Sequence, residues 1–185
     1  MDSIKIERLI RELLSAFGEN PEREGLLDTP RRVTKSFAKL LAGYSRNPHE
    51  LATVFDSEKY DEMIIVRNVE FYSLCEHHIL PFFGHVSVGY LPNKEIIGLS
   101  KIPRLIEIFA RRLQNQERFT QQIAETLDEI LKPRGVGVIV SATHLCSRMR
   151  GIEKESAEMV TSALTGIFKK DARTRSEFLR LARQD

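Results

Sequence analysis

The sequence predicts an α+β domain built on a four-stranded antiparallel sheet. Three observations predict it. Apolar residues recur at helical spacing in several segments, each closed by Gly, Pro or polar breakers. Segments rich in β-branched and aromatic residues fall in two consecutive pairs, as hairpins do. The resulting order is helix, helix, strand, strand, helix, helix, strand, strand, helix, which segregates helices from hairpins. A hydrophobic share of 42% is enough to build a core, so disorder is excluded.

The elements follow in order. Ile4, Ile6, Leu9, Ile10, Leu13, Leu14 and Phe17 make a first helix, and Gly18 to Pro21 end it. Asp28-Thr29-Pro30 opens a second, with Thr29 as N-cap and Pro30 at the first helical position. Val33, Phe37, Leu40 and Leu41 form its stripe, and Gly43 closes it. Met63 to Leu74 reads as a strand. His85 to Tyr90 alternates strictly, with Val86, Val88 and Tyr90 on one face, and Pro92-Asn93-Lys94 is a turn. Ile102, Leu105, Ile106, Phe109 and Leu113 line the next helix. Phe119, Ile123, Leu127, Ile130 and Leu131 line another, which Pro133-Arg134-Gly135 breaks. Val136 to Thr143 is a third strand, and a fourth covers the region from Met159 to Phe168, although Ser156-Ala157-Glu158 suits a helix equally. Thr174-Arg175-Ser176-Glu177 is a capping box that opens a last short helix before Phe178 and Leu179. No repeat, low-complexity tract or linker divides the chain, so one domain is expected over 1–185, with N-terminal helices in 1–45 and the main body in 60–185.

The 28 Lys+Arg and 26 Asp+Glu leave a net charge of +2, which argues against a dedicated nucleic-acid binder. No apolar run approaches the roughly 20 residues of a membrane span. The N-terminus lacks the basic start and apolar stretch of a signal peptide. The two cysteines are far apart and do not suggest a disulfide scaffold, so reduced thiols in the cytoplasm are expected.

Those two cysteines sit in two clusters with three of the five histidines: Cys75-Glu76-His77-His78 and His144-Leu145-Cys146. Cys75 and His78 share a face on a helical turn, and His144 and Cys146 share a face at a strand end. Two thiolates and one imidazole make a catalytic zinc set with water in the fourth place. A closed structural site with His77 or His144 as fourth ligand stays open at this point. A lone cluster is more often a buried cysteine beside unrelated histidines; two clusters that use every cysteine favour metal. In the open site, His77 and His144 remain beside the metal, suited to proton transfer near neutral pH. His49 and His85 read as structural or solvent-facing. Gly98-Leu99-Ser100-Lys101-Ile102-Pro103-Arg104 puts a hydroxyl and two cations at a helix start, where anions are favoured, though a capped helix with exposed basic residues explains it as well. Arg148, Arg150, Arg31, Arg32 and Lys35 add cations. Gln114-Asn115-Gln116-Glu117-Arg118 offers an amide and a carboxylate for a polar heterocycle, or a plain first-turn acid.

These motifs resemble the zinc-dependent GTP cyclohydrolase I family. The residues that carry the resemblance are Ser73-Leu74-Cys75-Glu76-His77-His78, Gly98-Leu99-Ser100-Lys101, Gln116-Glu117-Arg118, and His144-Leu145-Cys146 with Arg150-Gly151. The match runs from about Asp28-Thr29-Pro30 to Glu177-Phe178-Leu179. It implies a tunnelling fold, an antiparallel sheet with helices on one side, whose subunits form a homodecamer of two pentamers with sites at subunit interfaces. It implies Cys75, His78 and Cys146 as Zn2+ ligands and His77 and His144 as acid/base residues. It implies that Gln116 and Glu117 hold guanine. Ser100, Lys101, Arg104 and Arg150 would face triphosphate or ribose, with Arg32 and Lys35 from a neighbouring subunit. The implied reaction opens the imidazole ring of GTP by hydroxide addition at C8 while His144 protonates the ring nitrogen. Formate is released, and the ribose rearranges and closes to 7,8-dihydroneopterin triphosphate, the entry to folate or pterin synthesis.

Two rivals compete. Another tunnelling-fold enzyme, such as a nitrile reductase of deazaguanine synthesis, would use its cysteine as nucleophile and leave His144-Leu145-Cys146 without a role. A non-enzymatic zinc-stabilised assembly module would leave His77 without a task.

Overall fold

The computed structural model describes residues 1–51, 53–150 and 157–183. Backbone contacts divide the chain into two compact units, Met1–Ala42 and Gly43–Asp185.

The first unit holds α1 (Ser3–Ala16) and α2 (Thr29–Leu40). The Asp2 carboxylate caps α1 by accepting from the Lys5 N–H at 3.0 Å. The cap of α2 is Asp28 rather than the expected Thr29, which is already helical. Asp28 makes no side-chain capping bond; its carboxylate meets Arg31 and Arg32, each at 3.4 Å. None of the residues of α1 is buried, despite its apolar stripe.

In the second unit the chain runs β1 (Val54–Asp56), β2 (Ile64–Cys75), β3 (Pro81–Leu91), β4 (Glu95–Ile97), α3 (Lys101–Ala110), β5 (Leu113–Gln114), α4 (Gln116–Leu131), β6 (Gly135–His144), α5 (Leu145–Arg148), β7 (Met159–Leu164), α6 (Gly166–Lys170) and α7 (Ala172–Ala182). The architecture is α+β, as expected. The main sheet has five strands rather than four, in the order β5-β2-β3-β6-β7. The extra strand is β5, a two-residue segment parallel to the end of β2 through Leu74↔Leu113 and Cys75↔Gln114. It is too short to carry any periodicity, and it replaces the helix end expected at Leu113. A separate antiparallel pair joins β1 and β4.

Two expected boundaries also shift. The fourth strand stops at Leu164 because Gly166 takes φ +49°, and α6 follows it. The last helix begins one turn before the capping box: the Asp171 carboxylate accepts from the Thr174 N–H at 2.7 Å. Ser156, part of the alternative helical reading, lies outside the described residues, and Ala157 and Glu158 are not helical.

One sheet face packs on α3 and α4. Phe82, Val86, Val88 and Tyr90 of β3 and Val136, Val138 and Val140 of β6 are buried there against Ile102, Ile106, Phe119, Ile123 and Leu127. Each such side chain contributes about 1.5–3 kcal/mol by leaving water. Helices do not stay on one side, however. Phe178 of α7 lies on the opposite face, over Gly89 and Gly137, where an added Cβ would come within 2.7 Å of its ring. Those two glycines make room for an aromatic ring directly on the backbone. Among the described residues, no helix is long and apolar enough to cross a membrane.

A β-bulge positions the future site. Val66 pairs with Val88 and Val69 with Val86, so Arg67 and Asn68 together oppose Ser87. Asn68 takes φ +58°, a conformation that Asn tolerates better than most residues. The bulge reverses the alternation of β2. Ile64 and Val66 face the helices before it, and Phe71 and Cys75 face them after it. Without that extra residue Cys75 would point to the other side of the sheet.

Candidate active site

Cys75 ends β2 and begins the hairpin loop to β3. Its N–H donates to Leu80 O at 2.9 Å, and its carbonyl accepts from Ile79 N–H at 2.8 Å. Ile79 pays for the tight turn with φ +55°, unfavourable for a β-branched residue. This fold-back brings His78 to Cys75, with Sγ and Nδ1 3.8 Å apart; His77 Nδ1 lies at 3.9 Å. On the other side β6 ends at His144, and the single turn of α5 carries Cys146. One ligand atom each from Cys75, His78 and Cys146 lie within 4.8 Å of one another.

Tetrahedral zinc with S and N ligands needs ligand atoms roughly 3.4–3.8 Å apart, so small side-chain adjustments close the set. The electrostatics agree. Burial first, and the neighbouring Cys75 second, push the Cys146 thiol above its usual pKa. The Cys146 thiol thus resists ionising by itself, and a divalent cation with a liking for sulfur removes that resistance. The donors therefore fit zinc.

His144 stands beside this trio. Its ring stacks on Phe82 with centroids 4.7 Å apart and planes 8° from parallel. Burial lowers its pKa, and the Glu117 carboxylate opposes that shift, which places Glu117 within electrostatic reach. Glu117 is exposed in the first turn of α4. Gln116 points the other way and is 1% exposed. Its Nε2 reaches Val140 O at 3.1 Å, Met159 O at 2.9 Å and Thr161 Oγ1 at 3.1 Å, and its Oε1 lies 2.8 Å from His144 Nε2. Both ends of the side-chain amide are therefore engaged within the protein.

A polar clamp that the sequence reading missed holds the Cys75–His78 loop to α4. Arg118 donates to Glu76 at 2.5 Å and to Leu113 O at 2.9 Å, and Asn115 Nδ2 donates to Glu76 Oε1 at 3.0 Å. Arg118 lowers the pKa of Glu76 below the usual carboxylate value. Asn115 is the N-cap of α4 and accepts from Arg118 N–H at 2.8 Å. Its second role depends on a residue 39 positions away.

Ser100 and Lys101, two of the expected phosphate-binding residues, do not reach the trio within one chain. They sit at the start of α3, whereas its end lies beside the Cys75–His78 loop: Phe109 O accepts from Gln114 Nε2, and Gln114 pairs with Cys75. The length of α3, about 15 Å, separates them. Arg104 is exposed on the first turn of the same helix. Arg150 is exposed and close enough to Cys146 to favour its thiolate; Gly151, its neighbour in the motif, lies outside the described residues. Arg148 Nε is buried with no partner among the described residues. Arg32 and Lys35 are exposed in the first unit. His49 faces Glu129 at 3.5 Å, and His85 lines a cleft on the opposite sheet face with Ser87, Ser141 and Glu158.

An α+β fold with two thiols and an imidazole converging beside a second, half-buried histidine defines a candidate metal-dependent enzyme. Comparisons narrow the class. A family model described as GTP cyclohydrolase I matches residues 6–183. A Wolinella succinogenes protein named GTP cyclohydrolase 1 is 55% identical over 177 residues, covering 95% of each chain. Its namesake from Leptospira biflexa is 53% identical, covering 96% of this chain and 98% of that one. One from Campylobacter jejuni is 52% identical, covering 96% and 94%. The chain belongs to the GTP cyclohydrolase I family and is an enzyme of that kind. Among solved structures, the apo form of the archaeosine synthase QueF-Like is a looser likeness, with a TM-score of 0.43 and 16% identity over 56% of this chain and 93% of that one.

Proposed function

We propose that this chain converts GTP to 7,8-dihydroneopterin triphosphate and formate, with zinc held by Cys75, His78 and Cys146. The observation that carries the reading is the convergence of those three donors, with His144 two residues from Cys146, in a chain of this family. Zinc, when bound, supplies Lewis acidity that makes water a stronger acid near neutral pH.

The protein's own groups do the rest. Glu117 binds the base: an ionised carboxylate is acceptor-only and matches the adjacent N1–H and 2-amino donors of guanine. His144 moves a proton to the imidazole-ring nitrogen as the ring opens, and His77 serves the second hydrolysis that frees formate. Ser100, Lys101, Arg104 and Arg150 bind triphosphate and ribose, aided by Arg32 and Lys35, because ammonium and guanidinium groups meet phosphate oxygens with charge-assisted bonds.

The site is completed between copies. The helix-length gap between Lys101 and Cys75 supports an assembly in which the start of α3 in one subunit meets the metal loop of another. The sheet is open at β5 and β7 among the described residues, which supports a ring closed through sheet edges. A tunnelling-fold homodecamer of two pentamers fits both observations, working in the cytoplasm, where thiols stay reduced. Zinc content, formate release from GTP and light scattering on one preparation test the proposal. The expected result is one zinc per chain and GTP-dependent formate from a ring-sized particle. Full activity without zinc, or from a monomer, would overturn the metal or the shared-site part.

A further inference from the structure

The hydrogen bonds of Gln116 leave its amide one orientation. Val140 O and Met159 O are carbonyl oxygens and only accept, so the NH2 group must face them. Turning the amide over would set Oε1 against both. Thr161 closes the arrangement: its Oγ1 accepts from Gln116 and lies 2.6 Å from Thr120 Oγ1, which donates to Gln116 O at 2.6 Å. The hydroxyl hydrogens thus run in one direction, from Thr161 to Thr120 to the backbone of Gln116 itself.

Oε1 therefore faces His144, and an oxygen that only accepts requires a hydrogen on His144 Nε2, 2.8 Å away. Phe82 fixes the plane of the imidazole from one side, so the ring cannot tilt out of this bond without losing its stack. Nδ1 has no hydrogen-bond partner among the described residues. We infer that Gln116 is a positioning residue that holds His144 with its hydrogen on Nε2 and leaves Nδ1 as the atom through which His144 exchanges protons with substrate. The catalytic half of this inference rests on the proposed role of His144; the tautomer itself does not.

Which nitrogen works matters for the reaction. The two ring nitrogens point about 140° apart, so only one can face a bound purine while the other faces Gln116. A histidine free to swap tautomers would spend part of its time with the wrong nitrogen protonated. Locking Nε2–H confines uptake and release of the ring's second proton to Nδ1, the nitrogen left free for substrate, as an orienting partner does for the histidine of a catalytic triad.

Solid-state nitrogen NMR of sedimented protein labelled with 15N-histidine reads the tautomer directly, and the difference spectrum against His144→Gln assigns the signal. The wild type needs no substitution for this reading. The expected result is a hydrogen on Nε2, with the neutral ring bare on Nδ1; a neutral ring that carries its hydrogen on Nδ1 would overturn the inference. Gln116→Met keeps the length of the side chain and removes its polar atoms. In that variant both tautomers should appear, kcat should fall about 10–100-fold, the scale of a lost orienting partner, and KM for GTP and zinc content should stay near wild type. A folded, zinc-loaded Gln116→Met with unchanged kcat would overturn the positioning role. Wild-type protein that releases no formate from GTP would sink the proposed function instead, leaving the tautomer measurement intact.

Discussion

Phe82 and His144 are cross-strand partners on β3 and β6, and their rings stack 4.7 Å apart, 8° from parallel. Phe82 is fully buried in the core, so the core itself sets the plane of the histidine. Phe82→Leu keeps an apolar side chain but removes the flat surface. We expect a stability loss of about 1–3 kcal/mol from imperfect filling and a lower kcat at unchanged zinc content. Denaturant unfolding and single-turnover formate release check the two effects separately. A variant as fast as wild type would show that the stack does not orient His144.

Removing a thiol should remove the metal. Cys146→Ala leaves Cys75 and His78, two donors of three, and the expected outcome is loss of bound zinc and of formate release. His144→Ala should behave differently: zinc stays, while turnover falls by at least ~10²-fold, the lower scale for a lost acid/base group. Elemental analysis of both proteins distinguishes ligand from proton carrier. Zinc retention in Cys146→Ala, or zinc loss in His144→Ala, would contradict the assignment.

Base choice should rest on Glu117. Adenine presents a lone pair at N1 and no 2-amino group, so it meets the carboxylate with repulsion. The enzyme should turn over GTP and ignore ATP, with discrimination of about 10⁴–10⁵-fold for a site built on such a bond. Glu117→Ala should lose GTP turnover and stay folded with zinc bound. If Glu117 only favours the start of α4, its removal costs roughly 0.3–1 kcal/mol of stability and leaves kcat/KM alone. Steady-state kinetics on the zinc-loaded variant decides.

The clamp on the Cys75–His78 loop predicts an acid sensitivity. Arg118 holds the Glu76 carboxyl below its ordinary pKa of 4.5. The contribution of Glu76 to stability is therefore fully present above that value and fades as pH falls through the lower, folded value. In Arg118→Met most of that contribution is lost, so the variant should be less stable than wild type at neutral pH and the difference should close as pH falls below 4.5. Thermal midpoints across the acid range check this, and chelator competition at neutral pH should show zinc held about 10–100-fold more weakly, the scale for a lost outer partner. Identical acid profiles for the two proteins would exclude the clamp as a stabilising element.

By itself the sequence determined what depends on near neighbours. Apolar spacing marked α1 to α4, strict alternation marked the middle of β3, and the pairing of each cysteine with nearby histidines marked the metal trio. These signals are local because a helix repeats within four residues and a strand within two. The tertiary structure decided what depends on partners far along the chain. Gln116 and Glu117 are adjacent in sequence, yet the helical turn of about 100° buries the first and exposes the second. Only Val140, Met159 and Thr161, brought in by β6 and β7, make the buried place habitable for an amide. The bulge at Arg67 and Asn68 likewise hides from a count of alternating residues, because it changes the phase of β2 without changing its composition. The gap between Lys101 and Cys75 is set by how α3 lies on the sheet, which no spacing in the sequence encodes. The chemistry was legible because donor types are written in the residues; its geometry was not, because orientation comes from contacts that exist only after the chain has closed on itself.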